Sequence, residues 1–174
     1  KDKYGNYTYL NNESLSMYSP KFVELVNNIQ HPDNKGKHLI YSQFRTIEGI
    51  GIIRLILMAN GYAEFKVKKN NSTGKWSIVQ NIGDEEKPKF VLYTGTETSE
   101  EKELIRNIYN NNWNVIPDEI TTQLQKVSKN NLYGEIIKIF MITASGAEGI
   151  SLKDTRFVHI MEPYWHMVRP NQVI

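Results

Sequence analysis

The run Thr143-Ala144-Ser145-Gly146-Ala147-Glu148-Gly149-Ile150-Ser151-Leu152 gathers small residues, hydroxyls and one acid directly after the most hydrophobic stretch of the chain, Ile136 to Ile142. Small side chains let backbone N–H groups come close to an anion, and Thr143 and Ser145 add hydroxyl donors suited to phosphate oxygens. If the preceding stretch is a strand of an open α/β sheet, the run lies at its carboxyl end, where such sheets place ligands. The same residues would also make a plain strand-to-helix turn whose glycines serve backbone freedom alone. Other chemistry is short of parts. Gly36-Lys37-His38 and Gly74-Lys75-Trp76 lack both the Ser or Thr after lysine and the earlier glycine of a Walker A loop. Glu48-Gly49-Ile50-Gly51-Ile52 falls inside a helical pattern and is no dinucleotide fingerprint, and Asp84-Glu85-Glu86-Lys87 reads as a solvated loop because no hydrophobic strand precedes it. The four histidines (His31, His38, His159, His166) are never at i,i+4 spacing, which argues against a metal site, and there is no nucleophile elbow. As a free-standing catalyst the chain is incomplete.

The elements that must position the run follow from hydrophobic period and turn chemistry. Ser19-Pro20 opens a helix with Ser19 as cap and Pro20 at its first position, and Phe22, Val23, Leu25, Val26 and Ile29 form its apolar face. Lys37 to Ser42 is a short buried strand, Thr46 to Asn60 a long helix closed by Gly61. Tyr62 to Val67 and Trp76 to Val79 alternate like the arms of a β-hairpin around Asn70 to Gly74. Lys89 to Tyr93 is the next buried strand, and Thr98 with Glu101 forms a capping box for a helix to about Asn110. Residues 111–135 are expected to hold an inserted helix after Pro117, and Phe157 to Met161 a further strand. Continuous apolar strands alternating with helices indicate a parallel sheet covered on both faces, with the strands near 38–42, 89–93, 137–142 and 157–161 mutually parallel.

Composition bounds the class. The chain has 174 residues, 40% hydrophobic and 23% charged, as an ordinary globular domain does. No cysteine is present, which excludes disulfides, iron–sulfur clusters and thiolate zinc sites. No apolar run reaches the ~20 residues of a membrane helix. A net charge of +2 is too small to argue a nucleic-acid partner from bulk electrostatics. Asn, Ile, Lys and Tyr, all with AT-rich codons, make up 64 of the 174 residues, which lowers the weight of any single Asn or Lys as a clue.

Four segments in order carry a resemblance. Leu39-Ile40-Tyr41-Ser42-Gln43-Phe44-Arg45 resembles motif IV of superfamily 2 helicases, in its chromatin-remodeller form. Leu92-Tyr93-Thr94-Gly95-Thr96 resembles the strand–Gly–hydroxyl step that follows, Thr143 to Leu152 is similar to motif V, and Gln172-Val173-Ile174 would open motif VI. From about Pro20 onward the chain therefore resembles the C-terminal RecA-like lobe of a superfamily 2 helicase or DNA-dependent ATPase. Ala144 to Leu152, Val158 to His166 and the two insertions are most like those of large cytoplasmic DNA viruses.

That resemblance implies a RecA-like α/β fold, a parallel sheet with helices on both faces plus a β-hairpin and a helical insertion. The polar residues 1–18 read as an extended entry segment, and the resemblance makes 19–174 the lobe, truncated within motif VI. It places Ser42, Gln43, Arg45, Gly95, Thr96, Thr143 and Ser145 against a nucleic-acid backbone, DNA ahead of RNA, and Glu148, Gly149, Ser151 and Gln172 toward ATP, with Ser151 standing where the family carries Asp or Asn. It gives Glu162 no chemical role. ATP and Mg2+ would belong to the parent protein, whose N-terminal RecA-like lobe would supply the phosphate loop and acids. The chain alone is then expected to be inactive, with no metal or catalytic residue of its own and no membrane partner. An intracellular setting is implied, the host cytoplasm if the viral likeness holds. The competing reading is a non-catalytic helicase-like scaffold in a viral transcription complex.

Overall fold

A computed structural model describes residues 9–46, 49–147 and 149–162. Its centre is a five-stranded, fully parallel sheet built from β1 (Lys37–Ser42), β2 (Ala63–Glu64), β5 (Lys89–Tyr93), β6 (Ile139–Thr143) and β7 (Thr155–Ile160). The spatial order is β2-β5-β6-β1-β7. Every residue of β1 and of β6 is buried, so neither strand alternates between apolar and polar, and the polar Lys37, His38, Ser42 and Thr143 at their ends are enclosed as well.

Period-two geometry divides those runs between two cores. Ile40, Phe90, Ile139 and Met141 point to one face, against Leu25 and Ile29 of α2 (Pro20–Gln30) and Ile50, Ile53 and Leu57 of α3 (Ile50–Ala59). Tyr41, Val91, Phe140 and Ile142 point to the other, against Leu104, Ile105 and Ile108 of α4 (Ser99–Tyr109) and Ile120 and Leu124 of α5 (Asp118–Leu124). The expected capping box is present: Thr98 accepts from Glu101 N–H and the Glu101 carboxylate accepts from Thr98 N–H. The four core strands are parallel, as the sequence pattern predicts.

Several elements differ from the expected ones. Residues 62–67 do not form one strand: Ala63–Glu64 joins the edge of the main sheet beside β5, while β3 (Lys66–Lys69) pairs antiparallel with β4 (Trp76–Val79). Phe65 N–H bonds to the Phe90 carbonyl at 2.8 Å, so the chain changes partner at that residue. The helix expected from Thr46 begins at Ile50, because Ile50 and Gly51 N–H bond to the Phe44 and Thr46 carbonyls in a tight loop. Ser19 precedes α2 without a side-chain cap, leaving Pro20 as the start signal. The entry segment is not extended throughout: a short helix, α1 (Asn12–Leu15), capped by Asn11, which accepts from Ser14 N–H, buries Leu15 against Val26 and Ile56. Among the described residues no helix is long and apolar enough to cross a membrane.

Candidate functional site

The carboxyl ends of β5, β6 and β1 lie side by side, and the singled-out residues gather there. Ser42 faces Thr143 in register at the last position of the β1–β6 ladder. Thr143 shares a 3.0 Å hydrogen bond with the Ser145 hydroxyl, and Ser145 donates to the Thr94 carbonyl at 3.4 Å. Ser145 opens outward, Thr143 is buried, and α6 (Ala144–Ala147) follows as a single turn. Gly146 is required by close approach: a Cβ there would sit 2.4 Å from the Tyr93 carbonyl oxygen. The motif V-like turn thus packs directly on the end of β5. This joins two of the four segments into one edge of hydroxyls.

The Thr94-Gly95-Thr96 loop is closed by its own neighbour. The Glu97 carboxylate accepts N–H bonds from Thr94 and Gly95, both at 3.0 Å, and hydroxyl bonds from Thr94 at 3.2 Å and Thr96 at 2.9 Å. Gly95 at φ +93° turns the two successive N–H groups to one side. Partial burial pushes the Glu97 carboxyl upward, but these bonds outweigh it and hold it below the usual carboxylate range.

The motif IV-like residues divide. Ser42 is fully buried and its hydroxyl is spent on Phe44, 3.2 Å from both its N–H and its carbonyl. Gly49 closes this loop from behind, where a Cβ would lie 2.0 Å from the Phe44 carbonyl oxygen. Gln43 donates its backbone N–H to the Glu162 carboxylate at 2.9 Å and its amide to the Glu162 carbonyl at 3.5 Å. Glu162 also lies 3.6 Å from Lys21 Nζ, so it braces the end of β7 against β1 and α2. Phe44 and Arg45 are exposed beyond it.

Where the resemblance places residues toward ATP, Gly149 and Ser151 are exposed, and among the described residues nothing lies within 4 Å of where a Cβ on Gly149 (φ +68°) would stand. Asn110 fixes this loop by donating to the Ser151 carbonyl and accepting from Lys153 N–H, both at 2.8 Å. Glu148 and Gln172 lie outside the described residues.

Sequence reasoning passed over three residues of this edge: Glu97, Asn110 and the bracing role of Glu162. For Glu97 a signal existed, an acid directly after a Thr-Gly-Thr step. The other two act across 41 and 119 residues of chain, and nothing local marks them.

A second polar cluster lies elsewhere. His38 and His159 stack with centroids 5.3 Å apart and a ring nitrogen contact of 3.0 Å. Burial first, then the neighbouring His159 charge, lowers His38 to about 4, and burial lowers His159 as well. Among the described residues no group of three or more His, Asp or Glu could hold a metal ion. A cleft of about 330 Å3 between β4, α5 and residues 80–89 lies by the amino ends of β5 and β6, away from Thr143.

No protein-family model matches the chain. It is homologous to proteins of large DNA viruses. It is 32% identical over 175 residues to the termination factor NPH-I homolog of African swine fever virus (isolate Pig/Kenya/KEN-50/1950), across 89% of this chain and 22% of that protein. Two proteins of Acanthamoeba polyphaga mimivirus, provisionally named ATP-dependent RNA helicases, match at 30% and 27% identity over 80% and 97% of this chain. The chain spans about a fifth of the length of the first of these relatives and 13% and 24% of the other two. The likeness to these relatives supports a helicase-like module, in accord with the RecA-like parallel sheet.

Proposed function

We propose that this chain is the second motor lobe of an ATP-dependent nucleic-acid helicase or translocase of superfamily 2. One observation carries the reading: the hydroxyls of Thr94, Thr96, Thr143 and Ser145 form one edge across the carboxyl ends of two adjacent parallel strands. Hydroxyl and backbone N–H donors suit phosphate oxygens and read no base. The partner is accordingly a polynucleotide bound along its backbone, DNA ahead of RNA, with binding that weakens as salt rises. The names of the relatives point to RNA as well, so the two are compared directly in the test.

ATP would enter from the Gly149–Ser151 side. The open space before Gly149 and the exposed Ser151 hydroxyl fit the sugar of a nucleotide, and Asn110 holds their loop in place. No Walker A loop occurs in the sequence, so the phosphates and Mg2+ would be held by a partner lobe carrying that loop. ATP supplies the energy of the cycle when bound. The residues of this chain contribute nucleic-acid grip through Thr143 and Ser145, and bracing of that grip by Gln43 and Glu162.

The test is a Thr143→Ala, Ser145→Ala double variant in the complete protein, titrated with single-stranded DNA and with RNA of one sequence. Nucleic-acid-stimulated ATP hydrolysis should fall about tenfold or more, for two lost charge-assisted bonds, while nucleotide binding without nucleic acid stays unchanged. Unchanged stimulation on both polymers would remove this edge from the nucleic-acid track and favour the scaffold reading.

A further inference from the structure

We propose that Glu97 stands in for a nucleic-acid phosphate, and that binding of the polynucleotide requires its carboxylate to leave the Thr94–Thr96 loop. The inference rests on the reading of this loop as a backbone-contact site, and it deepens that reading by naming what fills the site when nucleic acid is absent.

The donors that a phosphate would use are already taken. Glu97 receives both backbone N–H groups at Thr94 and Gly95 and both hydroxyls at Thr94 and Thr96, four bonds of 2.9–3.2 Å to one carboxylate. A carboxylate and a phosphate group share the features that matter here: acceptor oxygens only, negative charge, and a preference for convergent N–H and O–H donors. Successive backbone N–H groups turned to one side by a left-handed residue form an anion-binding concavity, and Gly95 provides that residue. The loop is within reach of the rest of the edge, since Ser145 donates to the Thr94 carbonyl. Thr96 and Gly95 are exposed, so the cradle opens to solvent on the side away from β5.

Two consequences separate this from a carboxylate that merely props its own loop. A prop, once weakened, lets the loop sag and lowers nucleic-acid affinity. A competitor, once weakened, releases donors and raises it. Glu97→Gln keeps the size of the side chain and removes its charge and one of its two acceptor oxygens. Charge alone is controlled by Glu103→Gln, an exposed carboxylate further along α4.

The experiment measures fluorescence anisotropy of a labelled single-stranded oligothymidylate with the complete protein, at low and at physiological salt. Variants are Glu97→Gln, Glu103→Gln and Thr96→Ala. The expected result is that Thr96→Ala weakens binding and Glu97→Gln tightens it by about three- to tenfold, the scale of one ordinary net hydrogen bond, with Glu103→Gln unchanged. If Thr96→Ala weakens binding but Glu97→Gln is no tighter than Glu103→Gln, the loop binds nucleic acid and the competition is overturned. If Thr96→Ala and Glu97→Gln both leave binding unchanged, the loop is not on the track and the functional reading of it fails together with the inference.

Discussion

The two ends of the central sheet are both polar, and they are polar in opposite ways. At the amino end, Lys37 is fully enclosed, donates to the Tyr109 carbonyl at 2.8 Å, lies 4.1 Å from the centre of the Tyr109 ring and 3.9 Å from Asp154. Burial lowers its pKa to about 8 against the pull of the Asp154 and Glu135 charges. Asn131, equally enclosed, accepts from Ile136 and Ile137 N–H and donates to the Tyr109 and Ile137 carbonyls. Each of these groups is tied to backbone that cannot be replaced. At the carboxyl end, Thr143, Ser145, Thr94 and Thr96 bond to one another and to Glu97, partners that another acceptor could replace. The lesson is that burial of polar groups does not mark a site. Exchangeable bonds do, and here they gather at the carboxyl ends of β5 and β6.

The largest test of this contrast is Asn131→Ala. It leaves two buried N–H groups at Ile136 and Ile137 without acceptors, and each such orphan costs on the order of 1–3 kcal/mol. Urea unfolding of the chain should show a loss of about 3 kcal/mol or more, with little change in nucleic-acid affinity per folded molecule. A loss below about 1 kcal/mol would mean the amino end is as replaceable as the other.

Acid should act next most strongly, through the stacked histidines. His38 titrates near 4 in the folded chain and near 6.5 unfolded, so between those values the unfolded chain binds more protons. Stability is therefore full above about 6.5 and falls as pH drops toward 4, by about 3 kcal/mol in all. His159, also lowered by burial, adds in the same direction. His38→Gln should flatten that slope in denaturant titrations taken from pH 7 to pH 4. A slope that persists would assign the acid sensitivity to other groups.

How far these differences can be read from sequence depends on the reach of each interaction. The strands at 37–42 and 89–93 are legible by their short apolar centres, Leu39 to Tyr41 and Phe90 to Tyr93, and the Thr98–Glu101 capping box because its partners are three residues apart. The turn at Thr143 is legible by its small residues. The break at Phe65 is not: the alternation from Tyr62 to Val67 is continuous, and only the β5 carbonyl at Phe90 decides where one sheet ends. The helical pattern runs back to Thr46, yet the helix starts at Ile50, because the Phe44 and Thr46 carbonyls take the N–H groups of Ile50 and Gly51. His38 and His159 are 121 residues apart and silent until the sheet brings them together. The Glu97 network is local in sequence, but it depends on the φ of Gly95, which no composition reveals.

Gly146→Ala probes the seam between rigid and exchangeable bonding. The added methyl would press on the Tyr93 carbonyl at 2.4 Å and the Tyr93 ring at 3.0 Å, backbone and packed side chain that have little room to yield. Overpacking of this kind costs about 1–3 kcal/mol, and about 2 is expected here by thermal or urea melts. Because the clash pushes the motif V-like turn off β5, the proposed function also predicts a fall in nucleic-acid-stimulated hydrolysis in the complete protein. A variant with wild-type stability would show that the turn does not rest on β5 in solution.

The smallest expected change in stability separates the two ends most sharply. Thr143→Val keeps the shape of a buried β-branched side chain at the end of β6 and removes only the hydroxyl, whose one described partner is Ser145. Ser145 is exposed, so its released hydroxyl can turn to water, and no buried donor is orphaned. The stability cost should stay under about 1 kcal/mol, the net worth of one ordinary hydrogen bond. If the hydroxyl contacts a phosphate when nucleic acid binds, the same variant should weaken nucleic-acid-stimulated hydrolysis about fivefold, equivalent to about 1 kcal/mol. Ser42→Ala is the companion, one strand over in the same register: its hydroxyl is spent on Phe44, so the cost should fall on stability and leave stimulation nearly intact. Melting curves and DNA titrations on both variants make a two-by-two comparison. Reversal of the pattern, with Ser42→Ala losing stimulation and Thr143→Val losing stability, would put the exchangeable bonds on β1 instead of β6.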